Sequence, residues 1–155
     1  MSNDARDDRA AGPGPAPELI DRLGYLLKHA QLMLAEHTAD ALRPYGLSGR
    51  ELAVLLVLSG QEPASQQQAA GRLGIDRTTM VAFVDALENR GLVERHPDAN
   101  DRRRNVVVLT KAGRDTLRDA SRASDEAERR FLAPLTGSAA QQLKGSLRKV
   151  IRKDP

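Results

Sequence analysis

The sequence predicts a mainly α-helical protein that carries one small β-hairpin, and three observations indicate this fold class. Aromatic residues make up only 3% of the 155 residues and Trp is absent, so Leu, Val and Ala must form most of the core. Apolar residues recur at helical spacing over most of the chain. Between residues 92 and 109 this spacing gives way to two short runs of β-type residues that flank a polar turn.

Composition excludes several classes of function. With 40% hydrophobic and 29% charged residues, the chain has the composition of a globular domain, and its length supports one core. The absence of Cys excludes disulfides, thiolate metal sites and thiol switches. The three His residues, at positions 29, 37 and 96, lack metal-ligand spacing, and no nucleotide loop or nucleophile motif occurs. We therefore predict no enzyme, no metal and no cofactor, while the net charge of +3 permits an acidic partner.

Residues 1–17 are predicted to form a flexible arm, because charged residues, Gly and alternating Pro leave little apolar surface to bury. The arm lacks the apolar run that a secretory signal needs. No window of the chain approaches about 18 consecutive apolar residues, so no membrane-spanning helix is expected. The predicted location is the cytoplasm.

A long first helix is predicted from Glu18 to near Pro44, with a length of about 39 Å. Two apolar stripes run along it. One comprises Leu19, Leu23, Leu26, Ala30 and Met33, and the other comprises Ile20, Leu27, Leu34 and Ala41. Because two stripes indicate burial on more than one side, we expect this helix to pack against a second subunit as well. The predicted dimerisation helices are residues 18–46 and 111–153.

Capping signals mark where the next helices begin. Capping boxes at Ser48–Glu51 and Ser65–Gln68 open the second and third helices, and Asp76 and Thr110 are the predicted N-caps of the fourth and fifth. The predicted inward faces are Leu52, Leu55, Leu56 and Leu58 on the second helix, Met80, Val81, Val84 and Leu87 on the fourth, and Leu117, Ala120, Ala123 and Ala127 on the fifth. An apolar stripe between residues 140 and 151 predicts a last helix.

Two helices joined by a tight turn at Gly74 and followed by a hairpin form the arrangement of a winged helix-turn-helix, here residues 47–110. In that fold the second helix, called the recognition helix, enters the DNA major groove, and the hairpin contacts the neighbouring backbone or minor groove. The first turn of this helix offers Arg77, Thr78 and Thr79, whose side chains suit base edges and phosphates. The sequence therefore predicts double-stranded DNA as the partner.

The turn of the hairpin contains Arg102, Arg103 and Arg104, and Arg suits the negative potential of a minor groove. Asp101, just before them, is placed to orient one guanidinium group through a bidentate ion pair. An Arg triplet alone is equally typical of a solvated turn, but its position after a helix-turn-helix favours DNA. Residues 72–104 contain seven Arg and six acidic residues, a net charge of only +1, so the acidic residues of the recognition helix must point away from phosphate.

The run from Ser65 to Gly113 resembles the DNA-binding lobe of the MarR family of bacterial transcription regulators. Asp101–Thr110 matches that family's wing signature, Asp-x-Arg followed by a short strand and Leu-Thr, and Leu87–Val93 matches the end of its recognition helix. The resemblance implies a homodimer that binds a pseudo-palindromic operator and usually represses transcription. It also implies that Arg103 inserts into the minor groove, braced by Asp101, and that the start of the third helix lies near phosphates. The residues concerned there are Ser65, Gln66 and Gln67.

Many members of that family release DNA when a small aromatic or phenolic ligand binds between the dimerisation and DNA-binding regions. The resemblance implies a site lined by the first, second and fifth helices, for which this chain offers Tyr25, His29 and Tyr45, with His37 as a weaker candidate. Tyr25 and His29 are four residues apart and share one helical face. The alternative is that this pair lies in the dimer interface or in solvent.

A winged-helix module that binds protein and not DNA is the alternative function. It predicts an apolar patch on the recognition helix and needs no cationic turn. The predicted exposed face of that helix carries Arg77, Thr78, Thr79, Asp85 and Asn89. This polar face favours DNA as the partner.

Overall fold

A computed structural model describes residues 17–60, 64–98 and 105–152. Its helices are α1 (Leu23–Leu42), α2 (Gly49–Leu58), α3 (Gln66–Leu73), α4 (Arg77–Asn89), α5 (Lys111–Phe131) and α6 (Gly137–Ile151). Its strands are β1 (Ala64–Ser65), β2 (Val93–Pro97) and β3 (Asn105–Leu109), and a 3-10 turn, Arg43–Tyr45, follows α1. The predicted fold class, mainly α with a small β-hairpin, is confirmed.

The predicted capping residues start their helices. At α2, the Ser48 hydroxyl accepts from the backbone N–H of Glu51 at 3.2 Å, and the Glu51 carboxylate accepts from the N–H of Ser48 at 2.7 Å. Ser65 and Gln68 form the same reciprocal pair at α3. The side chains predicted as N-caps of α4 and α5 cap those helices as well. Local side-chain chemistry therefore sets where four of the helices begin.

The sheet has three antiparallel strands in the order β1-β3-β2. β2 and β3 form the predicted hairpin, in a register that runs from Val93 opposite Leu109 to Pro97 opposite Asn105. β1, which the sequence does not predict, pairs with the other edge of β3. Because β1 leads directly into α3, this pairing joins the helix-turn-helix to the hairpin.

The hydrophobic core lies within residues 34–152 and takes side chains from the end of α1, from α2 to α5 and from the sheet. Its largest fully buried side chains are Leu42, Val54, Leu55, Met80, Val84, Leu87, Val93 and Val107. On α4, the buried residues Met80, Val84 and Leu87 follow one another at spacings of four and three. One face of α4 is therefore buried, while the opposite face lies at the surface.

The predicted start of the first helix is wrong. Helix α1 begins at Leu23 and not at Glu18, because the preceding residues form turns. The N–H of Arg22 donates to the carbonyl of Leu19 at 2.9 Å, a three-residue turn, and four-residue helical bonding begins from Leu26 to Arg22 at 3.0 Å. With 20 residues, α1 is about 30 Å long. Apolar spacing of three and four residues is satisfied by such turns as well as by a helix.

The prediction that Leu56 faces inward is also wrong, since this side chain is 51% exposed. The buried residues of α2 are Leu52, Val54, Leu55 and Leu58. At about 100° per residue, these four span an arc of about 160° between Val54 and Leu52, and Leu56 lies about 40° beyond it. A core on one side of α2 therefore selects Val54 over Leu56.

The chain divides into two units, of which the first ends at Met33 and the second begins at Leu34. Large apolar side chains are exposed in both. They are Leu19, Ile20, Leu23, Leu26, Leu27, Leu32 and Met33 in the first unit, and Leu56, Leu135, Leu143, Leu147, Val150 and Ile151 in the second. Helix α6 has no buried residue. Exposed apolar surface of this extent is typical of an interaction surface. Within the described ranges, no helix is long and apolar enough to cross a membrane.

Candidate nucleic-acid interface

The helix-turn-helix is formed by α3, α4 and the turn between them. Gly74 ends α3 with a φ of +66°, in the left-handed region that favours glycine. The backbone N–H of Ile75 donates a hydrogen bond to the carbonyl oxygen of Ala70 at 3.1 Å. Asp76 caps α4, and the fully buried Met80 holds this helix against the core. The first turn of α4 is therefore fixed in place and faces solvent.

Arg77 and Thr78, two of the three residues predicted to contact DNA from this helix, are exposed. Thr79 is half-buried, and its hydroxyl donates to Oδ2 of Asp76 at 2.6 Å. Its backbone N–H donates to Oδ1 of the same carboxylate at 2.9 Å. Arg77 and Thr78 are thus accessible to a partner, whereas the Thr79 hydroxyl proton is used in the cap. The assignment of all three residues to DNA stays a prediction.

The cap makes the stability of α4 sensitive to acid. Hydrogen bonds from the hydroxyl and the backbone N–H of Thr79 lower the pKa of Asp76 below its ordinary value of 3.8. A carboxyl group whose pKa is lowered by folding stabilises the fold above its ordinary pKa, and this contribution is lost as the pH falls through the lowered value. We expect Asp76→Asn to reduce the free energy of unfolding at about pH 7, and the difference from wild type to shrink below about pH 4. Urea denaturation across this pH range measures the difference, and a constant difference would contradict a role for the charge.

The three residues predicted near phosphates at the start of α3 lie in different environments. The Ser65 hydroxyl accepts from the backbone N–H of Gln68 at 3.2 Å and so serves as the N-cap. Gln67 is exposed. Gln66 is half-buried, and its side-chain amide lies 2.8 Å from Nε of Arg95, so its oxygen accepts from that N–H when the amide is turned to satisfy both groups. Gln67 is therefore the member of this group with an exposed side chain.

Arg95, on β2, is not among the site residues predicted from the sequence. Its guanidinium group forms ion pairs with Asp85 and Glu88 on α4, and its backbone N–H donates to Oε1 of Glu88 at 3.2 Å. Partial burial lowers the pKa of Arg95, but hydrogen bonds and attraction from the two carboxylates outweigh it, and the pKa lies above its ordinary value. We call Arg95, Asp85, Glu88 and Gln66 the Arg95 cluster. Its members come from three elements, so no spacing in the sequence indicates it.

Arg90 fixes the C-terminal end of α4. Its Nη2 donates to the carbonyl oxygen of Tyr45 at 2.9 Å, and its Nη1 lies 3.5 Å from Oε1 of Glu51. Gly46 has a φ of +61°, and a Cβ added there would lie 3.3 Å from Nη2 of Arg90. The recognition helix is therefore tied at this end to the turn that follows α1.

The predicted wing residues Asp101, Arg102, Arg103 and Arg104 lie outside the described residues. The strands on both sides of them are described, and Pro97 pairs with Asn105. Residues 98–104 therefore connect β2 to β3, as the hairpin prediction requires. The roles assigned to the four wing residues stay predictions.

The candidate ligand residues are divided between the two units. In the first unit, the rings of Tyr25 and His29 stack with their centroids 3.9 Å apart, and Nδ1 of His29 lies 2.9 Å from the carbonyl oxygen of Tyr25. In the second unit, the rings of His37 and Phe131 meet edge to face with their centroids 6.3 Å apart. Tyr45 borders a cleft of about 520 Å³ in that unit. The other lining residues belong to α5 and are Asp119, Arg122, Ala123, Glu126 and Arg129.

The fold and the surface of α4 define a winged helix-turn-helix transcription regulator. The family model described as "MarR family" matches residues 45–104. The transcriptional repressor MprA of Escherichia coli strain K12 is 30% identical over 139 residues, which cover 88% of this chain and 78% of the relative. The chain belongs to the MarR family, and the resemblance predicted from the sequence is confirmed.

Solved structures of the transcriptional repressor CouR share this fold. CouR bound to a 23-mer DNA duplex is 36% identical with a TM-score of 0.82, and the match covers 88% of this chain and 96% of that chain. CouR from Rhodococcus jostii RHA1 bound to p-coumaroyl-CoA is 30% identical with a TM-score of 0.78, and the match covers 90% and 99% of the two chains. The chain thus matches one structure solved with DNA over 88% of its length and another solved with a small molecule over 90%.

Proposed function

We propose that the protein is a cytoplasmic, sequence-specific DNA-binding repressor that acts as a homodimer on a pseudo-palindromic operator. The observation that carries the proposal is the surface of α4, which exposes Arg77 and Thr78 while its opposite face is buried. A helix presented in this way fits the major groove, where its side chains reach base edges and phosphates. The DNA complex of CouR supports this function. It requires neither a catalytic group nor a cofactor.

A winged-helix module that binds protein is the alternative, and the surface of α4 disfavours it. Every residue of α4 is described, and none of its large hydrophobic side chains is exposed. The large hydrophobic residues that are exposed in the described chain lie elsewhere, mostly before residue 34 and on α6. A protein partner docked on α4 would need an apolar patch there.

Selection from sheared genomic DNA at about 150 mM salt tests the proposal, since purely electrostatic binding is weakened under these conditions. We expect the protein to recover a short inverted repeat whose half-sites lie about one helical turn apart. Genes next to that repeat would identify what the protein controls. If a folded dimer recovers no sequence, the proposal is contradicted and protein binding is favoured.

Dimerisation is expected to involve α6. This helix has no buried residue, and Leu143, Leu147 and Val150 are exposed at spacings of four and three, which places them on one stripe. Light scattering at micromolar concentration is expected to give a mass near twice 16.9 kDa. Leu147→Lys should raise the dissociation constant of the dimer about 100-fold or more, because an unpaired ammonium group is costly to bury. Gln142→Lys, which adds the same charge at an exposed position of α6, is the control, and a monomeric wild type contradicts the prediction.

A small aromatic or phenolic effector that releases the DNA completes the proposal. In the cleft beside Tyr45, Arg122 pairs with Asp119 at 2.9 Å and Arg129 pairs with Glu126, so the walls carry balanced charges. An aromatic ring with one hydroxyl or carboxylate group can contact Tyr45, and that group can replace the protein carboxylate as the partner of Arg122 or Arg129. Arg90 bonds to the backbone of Tyr45 and so links the wall of the cleft to α4. The recovered operator duplex is the probe for screening such compounds for release.

A further inference from the structure

The recognition helix carries more acidic than basic residues. Between Arg77 and Asn89 it has one cation, Arg77, and two carboxylates, Asp85 and Glu88, which gives a net charge of −1. The side chains of Asp85 and Glu88 are 54% and 37% exposed. Phosphates along a bound duplex repel such groups. Binding of DNA by α4 therefore requires a cation from another part of the fold.

Arg95 supplies that cation from β2. Its Nη2 pairs with Asp85 and its Nη1 pairs with Glu88. Its Nε lies 2.8 Å from the Gln66 amide, whose oxygen accepts from it when the amide is turned to satisfy both groups. All three nitrogens of the guanidinium group thus have protein partners, and the side chain is only 23% exposed. To bind a phosphate, Arg95 would have to leave these partners, whereas Arg77 is exposed at the surface of α4.

We propose that Arg95 is a positioning residue for DNA binding, which neutralises the two carboxylates of the recognition helix and fixes that helix to β2 and to the start of α3. The inference rests on the proposed function of α4 in DNA binding. It has a specific consequence for mutants. Loss of Arg95 acts through Asp85 and Glu88, so removal of both negative charges restores the binding that is lost with Arg95.

The test compares wild type, Arg95→Met and the triple variant Arg95→Met/Asp85→Asn/Glu88→Gln in their affinity for a mixed-sequence DNA duplex over a range of salt concentrations. We expect Arg95→Met to bind about tenfold more weakly or worse, a change of about 1.4 kcal/mol. The triple variant is expected to bind at least as tightly as wild type, with an unchanged salt dependence. Urea denaturation and circular dichroism establish which variants fold.

The matched control is Arg118→Met on α5. Arg118 also pairs with two carboxylates, Asp115 at 2.9 Å and Asp119 at 3.1 Å, and its side chain is 61% exposed. This change also removes one positive charge from a cluster of an Arg and two carboxylates. The cluster lies on α5 and not on the recognition helix. We expect the affinity for DNA to stay within about twofold of wild type, because this cluster lies outside the recognition helix and the loss of an exposed ion pair changes folding stability little.

The triple variant decides the question even if Arg95→Met alone does not fold. Suppose that the triple variant binds weakly and that its slope of log affinity against log salt concentration falls by the amount expected for about one phosphate contact. Arg95 itself then contacts DNA, and the proposal is wrong. If Arg95→Met folds and binds as wild type does, the proposal is also wrong. A failure of wild type to bind any DNA would contradict the proposed function and this inference together, whereas wild-type binding without rescue contradicts this inference alone.

Discussion

Gly113→Ala is expected to lower the free energy of unfolding by about 3 kcal/mol or more, because α5 begins in direct contact with the backbone that follows α4. A Cβ at position 113 would lie 1.9 Å from the carbonyl oxygen of Leu92 and 2.9 Å from its carbonyl carbon. Two hydrogen bonds hold the start of α5 against the backbone of residues 91 and 92. The N–H of Thr110 donates to the same Leu92 oxygen at 3.1 Å, and the Thr110 hydroxyl donates to the carbonyl of Gly91 at 2.6 Å. Room for the methyl group therefore requires the loss of these bonds and of the α5 cap.

Urea denaturation at one fixed protein concentration measures this effect, since the stability of a dimer depends on concentration. Gly71→Ala is the matched control. Gly71 lies within α3, and a Cβ added there meets no atom within 4 Å. Its replacement is expected to be neutral or to stabilise the fold by up to about 1 kcal/mol, because Ala has the higher helix propensity. If the two variants unfold at the same urea concentration, the backbone at Gly113 moves to admit a methyl group without loss of stability, and the prediction is wrong.

The parts of the fold that could be predicted from the sequence depend on interactions between near neighbours in the chain. The capping boxes of α2 and α3 each join two residues three positions apart, and the buried face of α4 is visible as a spacing of three and four. The hairpin was predictable because β-type runs flank a polar turn. All of these features are determined by a window of a few residues, so one sequence is enough to find them.

What the sequence does not predict depends on contacts between distant residues. β1 has only two residues and exists because β3 offers a free edge to Ala64 and Ser65. The Arg95 cluster joins α3, α4 and β2, and an Arg in a strand looks the same whether it faces solvent or two carboxylates. The sequence does show that the recognition helix carries two carboxylates, Asp85 and Glu88, which would repel the phosphates of bound DNA. It does not show that Arg95 provides the compensating charge.

Arg103→Glu is expected to weaken DNA binding by about 100-fold or more while leaving the fold intact, because a carboxylate at the wing would face the phosphates or the minor groove. Arg43→Glu is the matched control. It makes the same change in net charge at an exposed side chain that pairs with Asp40. Fluorescence anisotropy with the operator duplex measures both affinities, and denaturation curves establish that both variants fold.

The salt dependence of Arg103→Glu separates a direct contact from an indirect effect. If Arg103 is placed against DNA, its replacement lowers the slope of log affinity against log salt by about one phosphate or more. The rescued Arg95 variant is expected to keep the wild-type slope, because in that variant no phosphate contact has been removed. Binding by Arg103→Glu with an unchanged salt dependence would show that the wing assignment is wrong. The two sets of variants thus distinguish the predicted role of Arg103, contact with the duplex, from the proposed role of Arg95, neutralisation of the carboxylates on the recognition helix.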